Sequence, residues 1–286
     1  MKKCFAVLTA ALLFWCAGCA ADGGGPGPRS PEPSGAATVP SNTPTLTGGG
    51  LSGEQPVDIT CVGPMWWDLK IIEVYENSAL VTNGEAEDGP GLSVMTIRDG
   101  AVYREGEQGV LPTDTLRPGM VVRVLGGPVD LSYPSGIITG SVEILEEGDD
   151  RIGLYRQVIA DLWEDDPGLN GGVEILGFDF SNACLLPSER QALEYLAAQD
   201  LGLGTRYVTG TWSELAEQGY IDREHLLWDN GLFFSIQFTG EPGSPGFTFD
   251  AQKWRSGLGA IFYENCTAKK GADGGWSYTV GQFAIS

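Results

Sequence analysis

The chain has 286 residues, and its 38 acidic and 17 basic side chains give a net charge of −21. Such a charge repels phosphate groups, so the sequence argues against nucleic acid and against an anionic membrane surface as partners. One histidine, no Cys-x-x-Cys, no nucleophile elbow and no phosphate-binding loop leave no signature of a metal site, a cofactor or a catalytic centre.

The first 18 residues have the three parts of a secretion signal. A basic start precedes an eleven-residue apolar run and two small residues before a cysteine: Lys2, Lys3, residues 5–15, Ala17, Gly18 and Cys19. The run is too short to span a bilayer, which needs about 20 residues, and it has the length of a signal-peptide core. Its end resembles a bacterial lipobox, although Cys16 stands where an aliphatic residue is usual.

We therefore predict that residues 1–18 are removed and that Cys19 becomes the lipidated, palmitate-bearing first residue, with an ordinary secretion signal as the alternative. Such a lipid would hold the protein at the extracellular face of the membrane of a Gram-positive bacterium. Residues 19–55 are dominated by Gly, Pro, Ser and Thr, and only Leu46 and Leu51 are large and apolar. This segment is predicted to be a disordered linker.

Residues 56–147 read as a small all-β domain. Apolar runs at 69–75, 78–82, 92–98, 101–104, 120–125 and 137–145 are separated by turn signals, with no helical pattern between them. Glu76-Asn77 and Asp99-Gly100 are each predicted to form a hairpin turn. Closely spaced strands of this kind are typical of a barrel or a sandwich.

The stretch LRPGMVVRVLGGPVDLSYPSGI at 116–137 resembles the end of a small secreted β-barrel domain of unknown function found in Firmicutes. The residues that carry the resemblance are Gly119, Val122, Val124, Gly127, Ser132, Tyr133, Pro134 and the strand Leu80-Val81-Thr82. The resemblance covers about residues 68–146 and implies an oligonucleotide/oligosaccharide-binding (OB) type of barrel without an established activity. The block FDAQKWRSGLGA at 249–260 is similar to the tails of uncharacterised clostridial lipoproteins.

Two adjacent tryptophans, Trp66 and Trp67, stand at the start of the barrel domain. Neighbouring residues on a strand face opposite sides, so one ring is predicted to enter the core while the other could stack on a glycan. The alternative is that both rings fill the barrel end or the domain junction, because aromatic residues are most often buried.

Residues 151–286 predict an α+β domain. Tyr155, Val158, Ile159, Leu162 and Trp163 have the spacing of an amphipathic helix. A strand at 173–180, a helix from Ser188 to about residue 200, a strand at 206–208 and a helix capped by Thr211 follow. Runs at 232–238, 247–255, 258–267 and 276–283 then predict a C-terminal antiparallel sheet.

Lys253 and Arg255 are two residues apart, so a strand would place both on one face as a candidate anion site. Ion pairing with acids such as Asp250 or Glu264 is the alternative. Cys184 and Cys266 are the most plausible disulfide pair, with free buried thiols as the alternative, and Cys61 has no predicted role.

The sequence thus predicts a cell-surface lipoprotein whose two modules bind a glycan or protein of the envelope without catalysis. The alternative is an extracellular hydrolase that acts on a glycan or peptide through carboxylates.

Overall fold

The computed structural model describes residues 65–84, 89–128, 132–241, 246–271 and 274–286, all of which belong to one compact unit. The predicted signal, its Cys19, the linker at 19–55 and Cys61 lie outside the described residues. Within the described ranges no helix has both the length and the apolar character needed to cross a membrane.

The first part of this unit is a closed five-stranded barrel. Its strands are β1 Met65–Val74, β2 Ser78–Asn83, β3 Ser93–Arg104, β4 Val121–Pro128 and β5 Ser135–Glu146. Around the barrel they follow the order β1-β2-β3-β5-β4, and β4 closes onto β1. The β3–β5 pair is parallel, whereas the other neighbours are antiparallel.

Alternate residues of each strand fill the barrel. Leu69 and Ile71 of β1 pack with Val122 and Val124 of β4, and all four are buried. This alternation is the period-2 pattern expected of strands with one apolar face. The predicted turn at Glu76-Asn77 is confirmed, since the Tyr75 amide donates to the Ser78 carbonyl at 2.8 Å.

The predicted hairpin at Asp99-Gly100 is wrong, because these residues lie inside the continuous strand β3. The register against β5 shifts between Ile97 and Ala101, so the strand bulges there instead of reversing. A Cβ on Gly100 would stand 3.0 Å from the Gly140 carbonyl oxygen of β5. Glycine here therefore permits a close approach of two backbones, which is its other common role in strands.

A second, seven-stranded sheet and three helices make up the rest. The elements are α1 Arg151–Glu164, β6 Ile175–Asp179, α2 Pro187–Asp200, β7 Tyr207–Thr209, α3 Trp212–Glu217, β8 Gly231–Phe238, β9 Gly246–Ser256, β10 Gly259–Lys270, β11 Trp276–Thr279 and β12 Gln282–Ile285. The order is β11-β10-β9-β8-β6-β7, and β12 also pairs with β10. The described part of the chain is thus mixed, with a barrel followed by a helix-covered sheet.

The C-terminal strands β8 to β12 pair antiparallel, as the sequence predicts, and the parallel part of this mixed sheet lies at β6, β7 and β8. Strand β6 lies between β7 and β8 and is parallel to both, because α2 and α3 each carry the chain back between strands. The predicted strand at 276–283 is two strands, β11 and β12, on the same edge of β10. They separate at Gly281, whose Cβ would stand 2.5 Å from the Asn265 carbonyl oxygen.

The two faces of this sheet are covered differently. One face packs on α1 and α2. Of the predicted helical stripe, Tyr155, Val158, Ile159 and Leu162 are buried and Trp163 is partly buried. The other face meets the shorter α3 and the ring of Trp228. Glycine at 177 makes room for that ring, because a Cβ there would approach Trp228 to 2.5 Å.

Helix α2 joins the sheet to the barrel. Glu189 is 4 % exposed, accepts the Leu186 amide at 2.8 Å and pairs with Lys70 of β1. The predicted helix start at Ser188 is one residue late, and the Ser188 hydroxyl donates to the Asn83 carbonyl of the barrel at 3.2 Å. The residue that caps the helix from its first turn is therefore Glu189.

Candidate functional site

The two tryptophans of the barrel face opposite sides of β1. Trp66 is 60 % exposed. Trp67 is half-buried against the barrel core, and its indole nitrogen donates to the Gly126 carbonyl at 3.2 Å. Strand alternation produces this division, so the alternative in which both rings plug the barrel is wrong for Trp66.

Trp66 borders an open groove of about 740 Å³ on the barrel. Its polar lining comes from three neighbouring strands, because Asp68 of β1 pairs in register with Arg123 of β4, which pairs with Glu143 of β5. Arg123 holds Asp68 in a bidentate ion pair, with Nε to Oδ1 at 2.7 Å and Nη2 to Oδ2 at 2.8 Å. The guanidinium lowers the pKa of Asp68 below its ordinary value, chiefly by these hydrogen bonds.

The groove offers an aromatic face beside fixed donors and acceptors. An exposed indole ring gives apolar contact area, while carboxylate, guanidinium and amide groups can bind hydroxyls at its edge. None of the described residues that line it is a serine, cysteine or histidine. Its described polar side chains are Asp68, Asn83, Arg123 and Glu143, which can form hydrogen bonds to a ligand.

Sequence reasoning missed Arg123, Asp68 and Glu143. They are 20 to 75 residues apart and become one row only through the register of β1, β4 and β5. A strand pattern alone indicates that they face outward, but it does not indicate which of them are neighbours.

The predicted anion site at Lys253 and Arg255 is occupied by protein groups. Both side chains lie on one face of β9, as their spacing predicts, but Lys253 is fully buried. Its ammonium donates to the carbonyls of Asp165, Trp163 and Asp166 at and just beyond the end of α1, the last two at 3.3 Å. Burial lowers the pKa of Lys253 to about 8, against the pull of the two aspartates.

Arg255 also donates its hydrogen bonds to backbone carbonyls. Its guanidinium donates to the carbonyls of Leu169, Gly171 and Asp229 at 2.7, 2.6 and 2.6 Å. The predicted ion pairing with Asp250 or Glu264 is likewise wrong among the described contacts of either basic residue. Both side chains satisfy carbonyl oxygens left at the end of a helix and in loops, which is a structural role.

A second cavity, of about 320 Å³, opens at the carboxyl ends of β6 and β7. Asp179, the last residue of β6, and Glu194 of α2 both line it. Burial raises the pKa of Glu194 to about 7, and Arg190 opposes this rise. A carboxyl group that holds its proton near neutral pH can act as a general acid.

The described residues contain no group of three or more His, Cys, Asp or Glu side chains that could hold a metal ion. Cys184 and Cys266 are both free, so the predicted disulfide is wrong and the alternative of free thiols is confirmed for this pair. Burial raises the pKa of the Cys266 thiol to about 11, which makes it unreactive.

We expect Lys253→Met to lower the free energy of unfolding by about 2 kcal/mol or more at pH 7, because buried carbonyls lose their donor. The wild-type advantage should widen as the pH rises from about 8 to 10.5, where the unfolded lysine still binds a proton and the folded one does not. Urea unfolding at several pH values measures both effects. Lys269→Met, on an exposed site of β10, is the control, and equal stability of the two variants would contradict the structural role.

Comparison of the chain with protein-family models, with curated proteins and with solved structures finds no match in any of the three.

Proposed function

We propose that the protein is a non-catalytic binding module of a Gram-positive cell envelope, held to the membrane by a lipid on Cys19. The observation that carries the binding role is the exposure of Trp66 beside the Asp68–Arg123 pair in a groove of about 740 Å³. The exposed indole ring and the adjacent ion pair together offer a ligand apolar contact area and hydrogen bonds at one place. The partner that best fits this combination is an envelope glycan, with an envelope protein as the other possibility.

The barrel topology supports an OB-type assignment. Five strands in the order β1-β2-β3-β5-β4, closed by β4 on β1, form the compact barrel that this class uses to bind oligomers. The groove at Trp66 involves β1, β4 and β5, whereas such barrels usually bind on the β2–β3 side. The proposed glycan surface is therefore a variation on the general binding mode.

Charge decides which oligomers are suitable. Loss of residues 1–18 would remove Lys2 and Lys3 and no acid, which leaves 15 basic and 38 acidic side chains. Among the described groove residues, Arg123 already neutralises Asp68, and Glu143 adds a further negative charge. Phosphate-bearing polymers are therefore disfavoured, and a neutral polysaccharide is preferred.

The cavity at Asp179 and Glu194 favours a second candidate function, that of a carboxylate-dependent hydrolase. Two acids in an open cleft, one of them protonated near neutral pH, are the minimum equipment of a glycosidase. The cleft also lies at the carboxyl ends of parallel strands, where α/β proteins commonly bind ligands.

Trp66→Ala should weaken binding to neutral Gram-positive wall polysaccharide and to soluble chitotetraose at least tenfold, because it removes the central apolar contact. Co-sedimentation and calorimetry measure the two affinities. Tyr103→Ala, which removes another exposed aromatic of the barrel, should leave them unchanged, and Trp66→Phe should retain part of the binding. Equal affinities of wild type and Trp66→Ala would refute the groove.

Cys19→Ala should abolish lipidation, so the protein either stays as an uncleaved precursor or enters the medium. Detergent phase partition and mass spectrometry of the amino terminus detect each outcome. Cys16→Ala is the matched control and should remain anchored. A processed, membrane-retained Cys19→Ala protein would rule out this anchor.

The hydrolase alternative predicts new reducing ends when the protein is incubated with the same wall polysaccharide. Release should decline as the pH rises through about 7, where Glu194 loses its proton, and Glu194→Gln should abolish it. Glu224→Gln, an exposed carboxylate outside the cleft, is the control. Absence of release by the wild type, or full release by Glu194→Gln, would dismiss this alternative.

A further inference from the structure

The face of the second sheet that meets α3 is apolar beneath α3 and becomes polar farther along the strands. Phe233 of β8 and Trp254 of β9 are register partners and pack with Leu215 and Trp228 in an apolar cluster. Two residues farther along the same strands, on the same face, the partners are Ser235 and Gln252. The change from apolar to polar side chains marks the place where the cover of the sheet ends.

These residues belong to a row that crosses four strands. Asp179 of β6 pairs with Ser235, Ser235 with Gln252, and Gln252 with Phe262 of β10. The neighbouring row on the opposite face is Phe178, Phe234, Lys253 and Ile261, which lies in the buried layer beneath the helices. The polar side chains are therefore confined to one face of the sheet at this position, while the opposite face stays buried.

The row forms the floor of another cavity, which also has a volume of about 320 Å³ and is not the one lined by Glu194. Trp212, the first residue of α3, stands at its wall, edge-on to Trp254 with ring centroids 5.6 Å apart. Asp250 and Glu264 contribute carboxylates at the other side. No lysine, arginine or histidine is among the described residues that line it.

Two polar side chains in this floor are more than nine-tenths buried and have open hydrogen-bonding capacity. Ser235 is 5 % exposed, and no hydrogen bond of its hydroxyl occurs among the described residues. Asp179 is 8 % exposed, and both of its described bonds, from the amide and hydroxyl of Ser181, end on Oδ1. Neither Ser235 Oγ nor Asp179 Oδ2 is among the fully buried side-chain atoms of the described residues that lack a partner, so both keep access to the cavity and can hydrogen-bond to water or to a ligand there.

The functional groups indicate the class of ligand. A serine hydroxyl and glutamine amides both donate and accept, while Asp179 Oδ2 only accepts. Hydroxyl groups match such a mixture, because each of them also donates and accepts. The carboxylates and the lack of a basic residue disfavour anions, and Trp212 and Phe262 supply apolar ring contact.

We propose that the Asp179–Ser235–Gln252–Phe262 row binds a neutral polyhydroxylated ligand, a mono- or oligosaccharide, as a site separate from the barrel groove. The inference does not depend on Trp66, since none of the residues that carry it belongs to the barrel. It would give the chain a second saccharide site on its second sheet.

Calorimetric titration of the wild-type protein with glucose, galactose and N-acetylglucosamine tests this site. We expect saturable binding of at least one sugar and a roughly tenfold weaker affinity for Ser235→Ala and for Gln252→Ala, since each removes a hydrogen bond to the ligand. Gln282→Ala on the exposed strand β12 is the matched control. The titrations are repeated in the Trp66→Ala background, which removes the contribution of the barrel groove, so a loss of affinity on adding Ser235→Ala there reports this site alone and is distinguishable from failure of the groove.

Ser235→Ala changes one atom and is expected to fold, which near-UV circular dichroism and the melting temperature verify. Should it not fold, Gln252→Ala and Asp179→Asn provide the same comparison. Lack of saturable binding of all three sugars, or unchanged affinities in the row variants, would overturn the proposal. Binding of putrescine that the same variants weaken would replace it with a cation site.

Discussion

The buried pair of Lys70 and Glu189 is the contact on which the arrangement of the molecule depends. The side chain of Glu189 is 5 % exposed and that of Lys70 13 %, so neither charge is well solvated. Without Lys70, the carboxylate would remain buried at the first turn of α2 with only the Leu186 amide as donor. Breaking such a pair commonly costs about 3–5 kcal/mol. The barrel is therefore joined to the helical layer by an ion pair whose separation would leave a buried charge unpaired.

This junction explains why the faces of the second sheet differ. Ile72, Leu80 and Leu92 of the barrel enter the same apolar cluster as α1, α2 and the inner sheet face, so that face is sealed by helices and barrel together. Among the described residues, the opposite face is covered by the six-residue α3, Ile221 and Trp228. The part of this face beyond them must therefore present side chains that tolerate water or bind a ligand. The row that begins at Asp179 is the result.

Sequence patterns correctly predicted the features that depend on local periodicity. The predictions were wrong where contacts between residues distant in the sequence determine the structure. The stripe from Tyr155 to Leu162 and the alternation of Trp66 and Trp67 follow from helix and strand geometry. The sequence Asp99-Gly100 satisfies the rule for a hairpin, yet the approach of Gly140 makes it a bulge. Lys253 lies on the predicted strand face, but its partners are carbonyls 87 to 90 residues earlier in the chain. No spacing rule connects them.

Several of the few basic side chains are engaged in hydrogen bonds or ion pairs within the protein. Lys253 and Arg255 donate to backbone carbonyls, Lys70 to Glu189, and Arg156 to Asp200 of α2. Arg151 likewise pairs with Asp149 before α1. Because these cations are engaged inside the protein, the unpaired acids dominate what solvent and ligands meet. The barrel groove and the cavity at the Asp179 row are therefore both negatively charged. A ligand without negative charge can bind to either of them without electrostatic repulsion.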